Sequence, residues 1–416
     1  MASSEGNSDE SVETSSRAFR LAFAQAPAFA VRAPGRVNLI GEHTDYNSGL
    51  AMPCAISLAT TIQVAPRADR RIRVASLAMN KNDATSILEF EIDDVLRRVK
   101  MGTWSDYVAG PIFALGQSHH QTVQLRGFDA LVSSRVPVGA GLSSSAALGV
   151  AAALALARVN ELDLSNRELA ELAWLGERDY VGTGCGVLDF YASALGQRDT
   201  ALLIDCLDQS VREVPFPAEL EILIAHSGVE RSVATSRYTE RAAECARALE
   251  QAQSAKLANP STRSLRSFNP SDLPSLERHL DAIAFRRARH VIEENERVLR
   301  FASAIAGNRF TEAGAVLNEG MESLRSSYDA SAPELDLLCE AGNRADGCHG
   351  SRLTGAGWGG CSIHLIETGA KAEVSARIRA DFADRLDPVP PTWSVRPAEG
   401  AGAWLSGVSD SDARQR

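Results

Sequence analysis

Residues 137–146, with the sequence Pro-Val-Gly-Ala-Gly-Leu-Ser-Ser-Ser-Ala, show the most specific chemical pattern in the chain. Glycines let the backbone approach an anion closely, and serines at a helix start offer free N–H groups and hydroxyls. The positive end of the helix dipole favours phosphate there. A simple N-cap needs one serine, so three serines after two glycines favour a phosphate site. The chain lacks the Gly-Lys-Ser/Thr of a P-loop, and Ser144 stands where a Rossmann fingerprint needs its third glycine, so the pattern predicts an unrelated phosphate cradle.

A second cluster places three charged residues and an imidazole within ten residues. Its members are Arg36, Glu42, His43 and Asp45. The apolar residues Val37, Leu39 and Ile40 lie between these groups, and strand alternation directs them to a core. The charged set then sits where the strand ends. Clustered carboxylates with an imidazole suit hydrogen bonding to several hydroxyls, as a sugar site requires. A strand that ends in a solvated turn accounts for the same residues equally well.

Two further carboxylates and a glycine-rich turn stand out. Glu177 follows a Ser165–Glu168 capping-box pattern and falls on the apolar face of its helix, where it needs either an arginine partner or a Mg²⁺ ion. Asp189 either caps a helix or serves as a base beside a hydroxyl and an arginine. Residues 353–361 hold four glycines before a strand, which either turn the chain or pack backbone against a ligand.

The elements that must position these groups form an α+β pattern. Short alternating strands surround an apolar helix at residues 146–159, and long helices dominate residues 239–343 before the glycine-rich turn. Strands and helices do not alternate regularly, which argues for two lobes rather than a doubly wound sheet. The predicted organisation is a disordered tail at 1–17, an N-terminal domain at 18–219, a C-terminal domain at 220–408 and a polar tail at 409–416.

Composition excludes several classes of protein. The 416 residues carry a formal net charge of −10 and only four lysines, so no basic face for nucleic acid is expected. The small, polar and acidic first sixteen residues fit neither a signal nor a transit peptide, and no apolar run is long enough to cross a bilayer. Seven scattered cysteines without C-x-x-C spacing argue against a disulfide framework and a zinc site. We expect a cytoplasmic monomer without a nucleic-acid or membrane partner.

Together these stretches resemble the galactokinase family, a branch of the GHMP small-molecule kinases. Residues 36–46 match the galactokinase signature, residues 137–147 match the phosphate loop of the wider family, and residues 351–361 match its third motif. The likeness extends from about residue 30 to about residue 365. It implies a two-lobe α+β fold, with a ribosomal-protein-S5-like first domain and a ferredoxin-like second domain around the active site. The implied activity is transfer of the ATP γ-phosphoryl group to the C1 hydroxyl of galactose, with Mg²⁺.

The resemblance also implies residue roles. Asp189 would be the base for the sugar hydroxyl, with Arg36 beside it stabilising the transferring charge. The sugar would contact Glu42, His43, Asp45, Gly186, Asp189 and Tyr238. ATP would contact Gly139, Ala140, Gly141, Leu142, Ser143, Ser144, Ser145, Trp104 and Gly357, with Tyr107 near the adenine. Mg²⁺ would lie at Ser145, or Ser144, and Glu177.

The chain departs from the family pattern at three places. Leu188-Asp189-Phe190 replaces Met-Asp-Gln, Gly320-Met321 replaces Ser-His, and Ala356 stands inside the third motif. These changes leave a related sugar, such as N-acetylgalactosamine, as an alternative substrate, with Phe190 the first residue to suspect. A catalytically silent sensor of sugar and ATP is the alternative of a different class, against which Arg36, Asp189 and the intact serine run argue.

Overall fold

Two β-sheets, one in each half of the chain, organise the fold. The computed structural model describes residues 6–77, 86–118, 124–229, 234–382 and 391–405. The strands of the first half are β1 (Phe29–Ile40), β2 (Leu50–Pro66), β3 (Arg71–Ser76), β4 (Leu88–Glu91), β5 (Phe128–Ser134), β6 (Thr200–Asp205) and β7 (Ser210–Pro215). Those of the second half are β8 (Leu220–His226), β9 (Cys348–Thr354), β10 (Cys361–Glu367), β11 (Thr392–Val395) and β12 (Gly402–Leu405).

The first sheet has the order β12-β1-β2-β5-β3-β4, and β6 and β7 extend it from the other end of β2. Within it, β3 and β5 pair in parallel and the other pairs are antiparallel. The pairing of β1 with β2 shifts register between Pro34 and Arg36 and again between Asn38 and Ile40. Such irregularities re-aim side chains and are frequent beside active sites.

Helices cover the sheets of both lobes. In the first half they are α1 (Gly6–Phe23), α2 (Ile92–Leu96), α3 (Asp106–Gln117), α4 (Ser144–Val159), α5 (Asn166–Leu175) and α6 (Leu188–Leu195). In the second half they are α7 (Ala234–Ser254), α8 (Leu273–His279), α9 (Ala282–Ala306), α10 (Phe310–Ser326), α11 (Pro333–Asn343) and α12 (Lys371–Phe382). The alanine-rich helix α4 is apolar on every side, and it is correspondingly buried in the core of the first lobe. None of the helices in these described ranges is long and apolar enough to cross a bilayer.

The second sheet has the order β11-β8-β10-β9 and is antiparallel throughout. One buried cluster joins the two lobes, because Val37, Leu39 and Ile40 of β1 pack with apolar residues of β8, β10, α9 and α10. Arg36 and Asn38, which alternate with Val37 and Leu39 along β1, line a cavity to which both lobes contribute. The expected α+β fold with two lobes is what the structure shows, and the three apolar residues of β1 lie in the core as predicted.

Three details of the predicted organisation are wrong. Helix α1 begins at Gly6, inside the segment predicted to be disordered, and Phe19 and Phe23 anchor it against the first sheet. Strand β12 pairs with β1, so the chain returns to the first lobe after completing the second. The helix expected at residues 275–306 is broken between α8 and α9, where the Asp281 side chain caps α9 by accepting from the N–H groups of Ile283 and Ala284. The predicted polar tail at 409–416 lies outside the described residues.

Candidate active site

A cavity of about 350 Å³ lies between the lobes, at the end of β1. Both lobes contribute to its wall. From the first lobe come Arg36, Asn38, Gly41, Glu42, His43, Asp45, Glu177, Thr183, Gly184, Cys185, Gly186, Leu188 and Asp189, and from the second come Tyr238, Thr239, Gly355 and Ala356.

Arg36 and Asp189 meet in this cavity although 153 residues separate them. The Nε of Arg36 donates to Oδ1 of Asp189 at 2.8 Å, and its Nη2 lies 2.6 Å from the same oxygen. The Nη1 of Arg36 donates to the carbonyl of Gly141 at 2.7 Å. The Ser143 hydroxyl donates to Oδ2 of Asp189 at 2.5 Å. One arginine therefore ties the acidic group to the glycine–serine loop.

Asp189 occupies the first turn of α6, whose N-cap residue is Val187. Its carboxylate serves Arg36 and Ser143 rather than the helix backbone, so the capping role considered from the sequence is not observed. The Asp189 side chain is 30% exposed, which leaves its oxygens accessible from the cavity.

The glycine–serine loop enters α4 with strongly constrained backbone. Gly139 and Gly141 have positive φ angles of 75° and 78°, and Ser143 also lies in the left-handed region. Ala140 and Leu142 point into the cluster between the lobes, so only their backbone groups can reach a ligand. A ligand at the loop would therefore meet backbone groups and the free N–H groups at the start of the 16-residue helix α4.

The end of β1 forms the polar floor of the cavity. Glu42, His43 and Thr44 are buried, which excludes the solvated turn that the sequence allowed. Asp45 accepts a hydrogen bond from the Tyr238 hydroxyl at 2.9 Å, and desolvation raises the pKa of Asp45. A Cβ on Gly186 would lie 2.5 Å from Oδ2 of Asp45, so this position needs glycine.

His43 is held by protein groups on both sides of its ring. Its Nδ1 pairs with the Tyr46 hydroxyl at 2.9 Å and its Nε2 with the carbonyl of Ala356 at 3.0 Å. The backbone of His43 is left-handed, with a φ of 64°. Both ring nitrogens are therefore engaged, and the imidazole fixes the third motif against the end of β1 rather than offering a nitrogen to a sugar.

Glu42 belongs to a buried charge cluster that crosses between the lobes. The Nη2 of Arg352, on β9, donates both to Oε2 of Glu42 and to Oε1 of Glu294, the second at 2.8 Å. Arg297 donates to the other oxygen of Glu294 at 2.6 Å. Burial raises the pKa of Glu42 to about 7, and Arg352 only partly offsets it. Burial also opposes ionisation of Glu294, but Arg352 and Arg297 outweigh it and lower the pKa of that carboxyl.

Glu177 lies on a π-helical turn (Gly176–Val181) that continues α5. Its Oε1 accepts from the hydroxyls of Ser145 at 3.3 Å and Thr183 at 3.0 Å, while no protein group in the described residues pairs with its buried Oε2. Desolvation raises the pKa of Glu177 to about 7. The arginine partner considered from the sequence is not among its contacts, and the unmet oxygen suits a cation.

Trp104 packs at the edge of the first hydrophobic core, and Gly357 turns the chain with its Cα close to the carbonyl of Ala330. Like residues 139–145 of the glycine–serine loop, neither lines the cavity, and their contacts with ATP stay predictions. Phe190 is 1% exposed and sits within the first core, so it cannot contact a sugar. The substitution that the sequence singled out as affecting sugar preference is therefore a core residue, whereas Leu188, the other replaced residue beside Asp189, lines the cavity.

Sequence reasoning missed Asn38 and Arg352. Asn38 follows Arg36 by two on β1, and this alternation was the available signal for a second cavity residue. Arg352 precedes the glycine-rich turn on β9, where residues 350–354 are all buried, so its charge needs a partner. The mixed polar and apolar sequence of this strand gives no signal of that burial.

Comparison with known proteins agrees with this geometry. The galactokinase galactose-binding signature matches residues 17–66, the N-terminal domain of GHMP kinases matches residues 107–197, and their C-terminal domain matches residues 301–384. The galactokinase of Roseiflexus sp. is 38% identical over 379 residues, covering 90% of this chain and 93% of that protein. The galactokinase of Canis lupus familiaris is 37% identical over 387 residues, covering 92% and 94%.

Solved structures give the same answer. Lactococcus lactis galactokinase complexed with galactose superposes with a TM-score of 0.86 at 30% identity, covering 94% of this chain and 99% of that one. Methanococcus jannaschii mevalonate kinase has a TM-score of 0.64 at 19% identity, covering 89% and 99%, and so shares the fold.

Proposed function

Because the chain belongs to the galactokinase family, we propose that it transfers the γ-phosphoryl group of ATP to the C1 hydroxyl of α-D-galactose, giving galactose 1-phosphate and ADP. It is an ATP-dependent sugar kinase. The observation that carries the proposal is the junction of Arg36, Asp189 and Ser143, which joins the sugar signature to the phosphate loop at one cavity. A hydroxyl held at Asp189 would face the loop from which the phosphoryl group comes.

Asp189 orients the C1 hydroxyl and takes its proton as the new O–P bond forms. Each carboxylate oxygen of Asp189 has one or two donors from the protein and retains exposure toward the cavity. Phosphoryl transfer depends mainly on in-line positioning and on stabilising charge. Asp189 therefore need not be a strong base.

Arg36 supplies fixed positive charge where negative charge develops. Its guanidinium is held at three points, by Asp189 and by the Gly141 carbonyl, so it needs no reorganisation during the reaction. The backbone N–H groups at the start of α4 and the helix dipole bind the ATP phosphates. Ser144 and Ser145 add hydroxyls at the same helix end.

Mg²⁺ would be held by Glu177 and Ser145. No group in the described ranges pairs with the buried Oε2 of Glu177, and carboxylate and hydroxyl oxygens are ligands that Mg²⁺ accepts. When bound, the ion would neutralise phosphate charge and orient the transferred group.

The sugar hydroxyls are recognised by Glu42, Asp45 and Tyr238. Asp45 and Tyr238 form one acceptor–donor pair from the two lobes, and Oε1 of Glu42 has no hydrogen-bond partner within the part of the chain that the structure describes. Gly186 lets Asp45 approach the cavity wall closely. His43 contributes by fixing these elements together.

We also propose that the enzyme acts in the cytoplasm as a monomer, with domains that divide near residue 219. The seven cysteines are thiols without disulfide partners, which suits a reducing compartment. The cavity is complete within one chain.

ADP release from Mg²⁺-ATP with purified protein tests the proposal against galactose, 2-deoxygalactose, N-acetylgalactosamine, galacturonic acid, arabinose and glucose. Galactose-dependent release, with glucose inert and with Asp189→Asn inactive but still binding ATP, supports it. Preference for another sugar leaves the kinase and overturns the substrate. Binding of ATP and galactose without turnover would instead indicate the sensor.

A further inference from the structure

Among the described residues, few buried side-chain oxygens and nitrogens lack a protein hydrogen-bond partner, and three of the residues that carry them line the cavity. These are Asn38, Glu42 and Glu177. The proposed function uses Glu42 for the sugar and Glu177 for the metal, but it gives Asn38 no part. We infer that Asn38 is a further sugar-binding residue, which contacts a galactose hydroxyl other than the C1 hydroxyl.

Asn38 is placed for this contact by both lobes. Its backbone N–H donates to the Thr354 hydroxyl at 3.0 Å, and that hydroxyl donates back to the Asn38 carbonyl at 2.9 Å. Thr354 is the last residue of β9, so the two lobes clamp this point of β1. The backbone of Asn38 is thereby fixed before a ligand arrives, which limits the entropy lost on binding.

Strand geometry directs Asn38 to the same side as Arg36. The two residues pair in continuous register with Asn38 opposite Pro53 and Arg36 opposite Ala55, and Val37 between them points into the core. Two strand residues advance the chain by about 7 Å. Asn38 therefore faces the part of the cavity away from Asp189, where the remaining ring hydroxyls would lie.

The chemistry of the amide fits a hydroxyl. Asn38 is 2% exposed and its Oδ1 has no hydrogen-bond partner among the described residues, so an unmet acceptor lies in the cavity wall. A sugar hydroxyl can donate to that oxygen, while an asparagine amide also offers donors. Sites whose buried polar groups are completed by a substrate hydroxyl reject analogues that lack it.

The inference rests on the proposed function, and steady-state kinetics of Asn38→Ala test it. We expect KM for galactose to rise about tenfold, the loss typical of one hydrogen bond, with kcat and KM for ATP little changed. Asn38→Leu keeps a similar side-chain shape and should show the same loss. Gln63→Ala is the matched control, because Gln63 is also a buried amide with an unpartnered oxygen but lies on β2 outside the cavity.

A deoxy-sugar series separates contact from a structural effect. With wild type, 2-, 3-, 4- and 6-deoxygalactose should each lose specificity relative to galactose. With Asn38→Ala, one of these penalties should largely vanish while the other three persist. The hydroxyl that Asn38 contacts has no partner in the variant, so a sugar that lacks this hydroxyl loses little there.

If Asn38→Ala shows all four deoxy-sugar penalties unchanged, or has the same KM for galactose as Gln63→Ala, the role of Asn38 is overturned. Either result would leave the galactokinase activity intact. Wild-type protein that phosphorylates no galactose would overturn the proposed function and this inference together.

Discussion

Removing Arg352 should destabilise the protein and weaken sugar binding together. Arg352 and Glu294 are fully buried and Glu42 is 3% exposed, and one guanidinium nitrogen serves both carboxylates. Arg352→Met keeps much of the side-chain volume but leaves Glu42 without its cation. Breaking a buried pair by removing one partner costs about 3–5 kcal/mol.

That cost is measurable as thermal and chemical stability. For a cooperative unit of about 200 residues, each kcal/mol shifts Tm by about 2–4 °C, so Arg352→Met should lower Tm by about 6–20 °C. Denaturant unfolding gives the free energy directly. KM for galactose should rise as well, because Arg352 holds the carboxylate that lines the cavity.

A double variant distinguishes charge from packing. Replacing both partners by neutral groups removes the uncompensated charge, so Arg352→Met/Glu42→Gln should be more stable than Arg352→Met by about 1–3 kcal/mol. Glu294 keeps Arg297 in either variant. A loss below about 1 kcal/mol for Arg352→Met, or no recovery in the double variant, would refute the reasoning.

Three further predictions concern catalysis, sugar binding and the proposed metal site. Arg36→Ala should lower kcat by about 100-fold or more with little change in Tm, since the charge stabilises the transition state; a large fall in Tm in calorimetry would instead assign Arg36 a structural role. KM for galactose should rise as the pH falls through about 7, because burial raises the pKa of Glu42 to about 7 and the carboxylate takes up a proton there. In Glu42→Gln, KM for galactose should not depend on pH in this range. A pH dependence of KM that persists in this variant would contradict the assignment. Gly176→Ala places a Cβ 2.3 Å from the Gly110 carbonyl carbon, so it should lower the free energy of unfolding by about 1–3 kcal/mol. Because the shift displaces Glu177, the Mg²⁺ concentration for half-maximal rate should rise as well. The control Gly402→Ala, whose Cβ would have no atom within 4 Å, should change neither quantity.

Local patterns predicted local structure well. The serine run starts α4, the Ser165–Glu168 capping box starts α5, and the apolar residues of β1 enter the core as their alternation indicated. In each case the cause lies within a few residues of the effect. Hydrophobic periodicity and capping chemistry are of this kind, so a single sequence suffices to recognise them.

Pairings across the chain could not be derived in this way. Arg352 and Glu42 are 310 residues apart, and nothing in either segment specifies the other. The approach of Arg36 to Asp189 was expected only from the resemblance to a family. Phe190 was misjudged because neighbouring residues on a helix point in different directions, and only the packing of α6 shows that Asp189 faces the cavity while Phe190 faces the core.

The identity of the product tests the central claim most directly. Phosphorus NMR of a reaction of wild-type protein with galactose and Mg²⁺-ATP should show one new phosphomonoester coupled to the anomeric proton of the α-anomer. Asp189→Asn under the same conditions should give none. A phosphate on another hydroxyl of the sugar, or undiminished product from Asp189→Asn, would contradict the account that Asp189 presents the C1 hydroxyl to the phosphate loop.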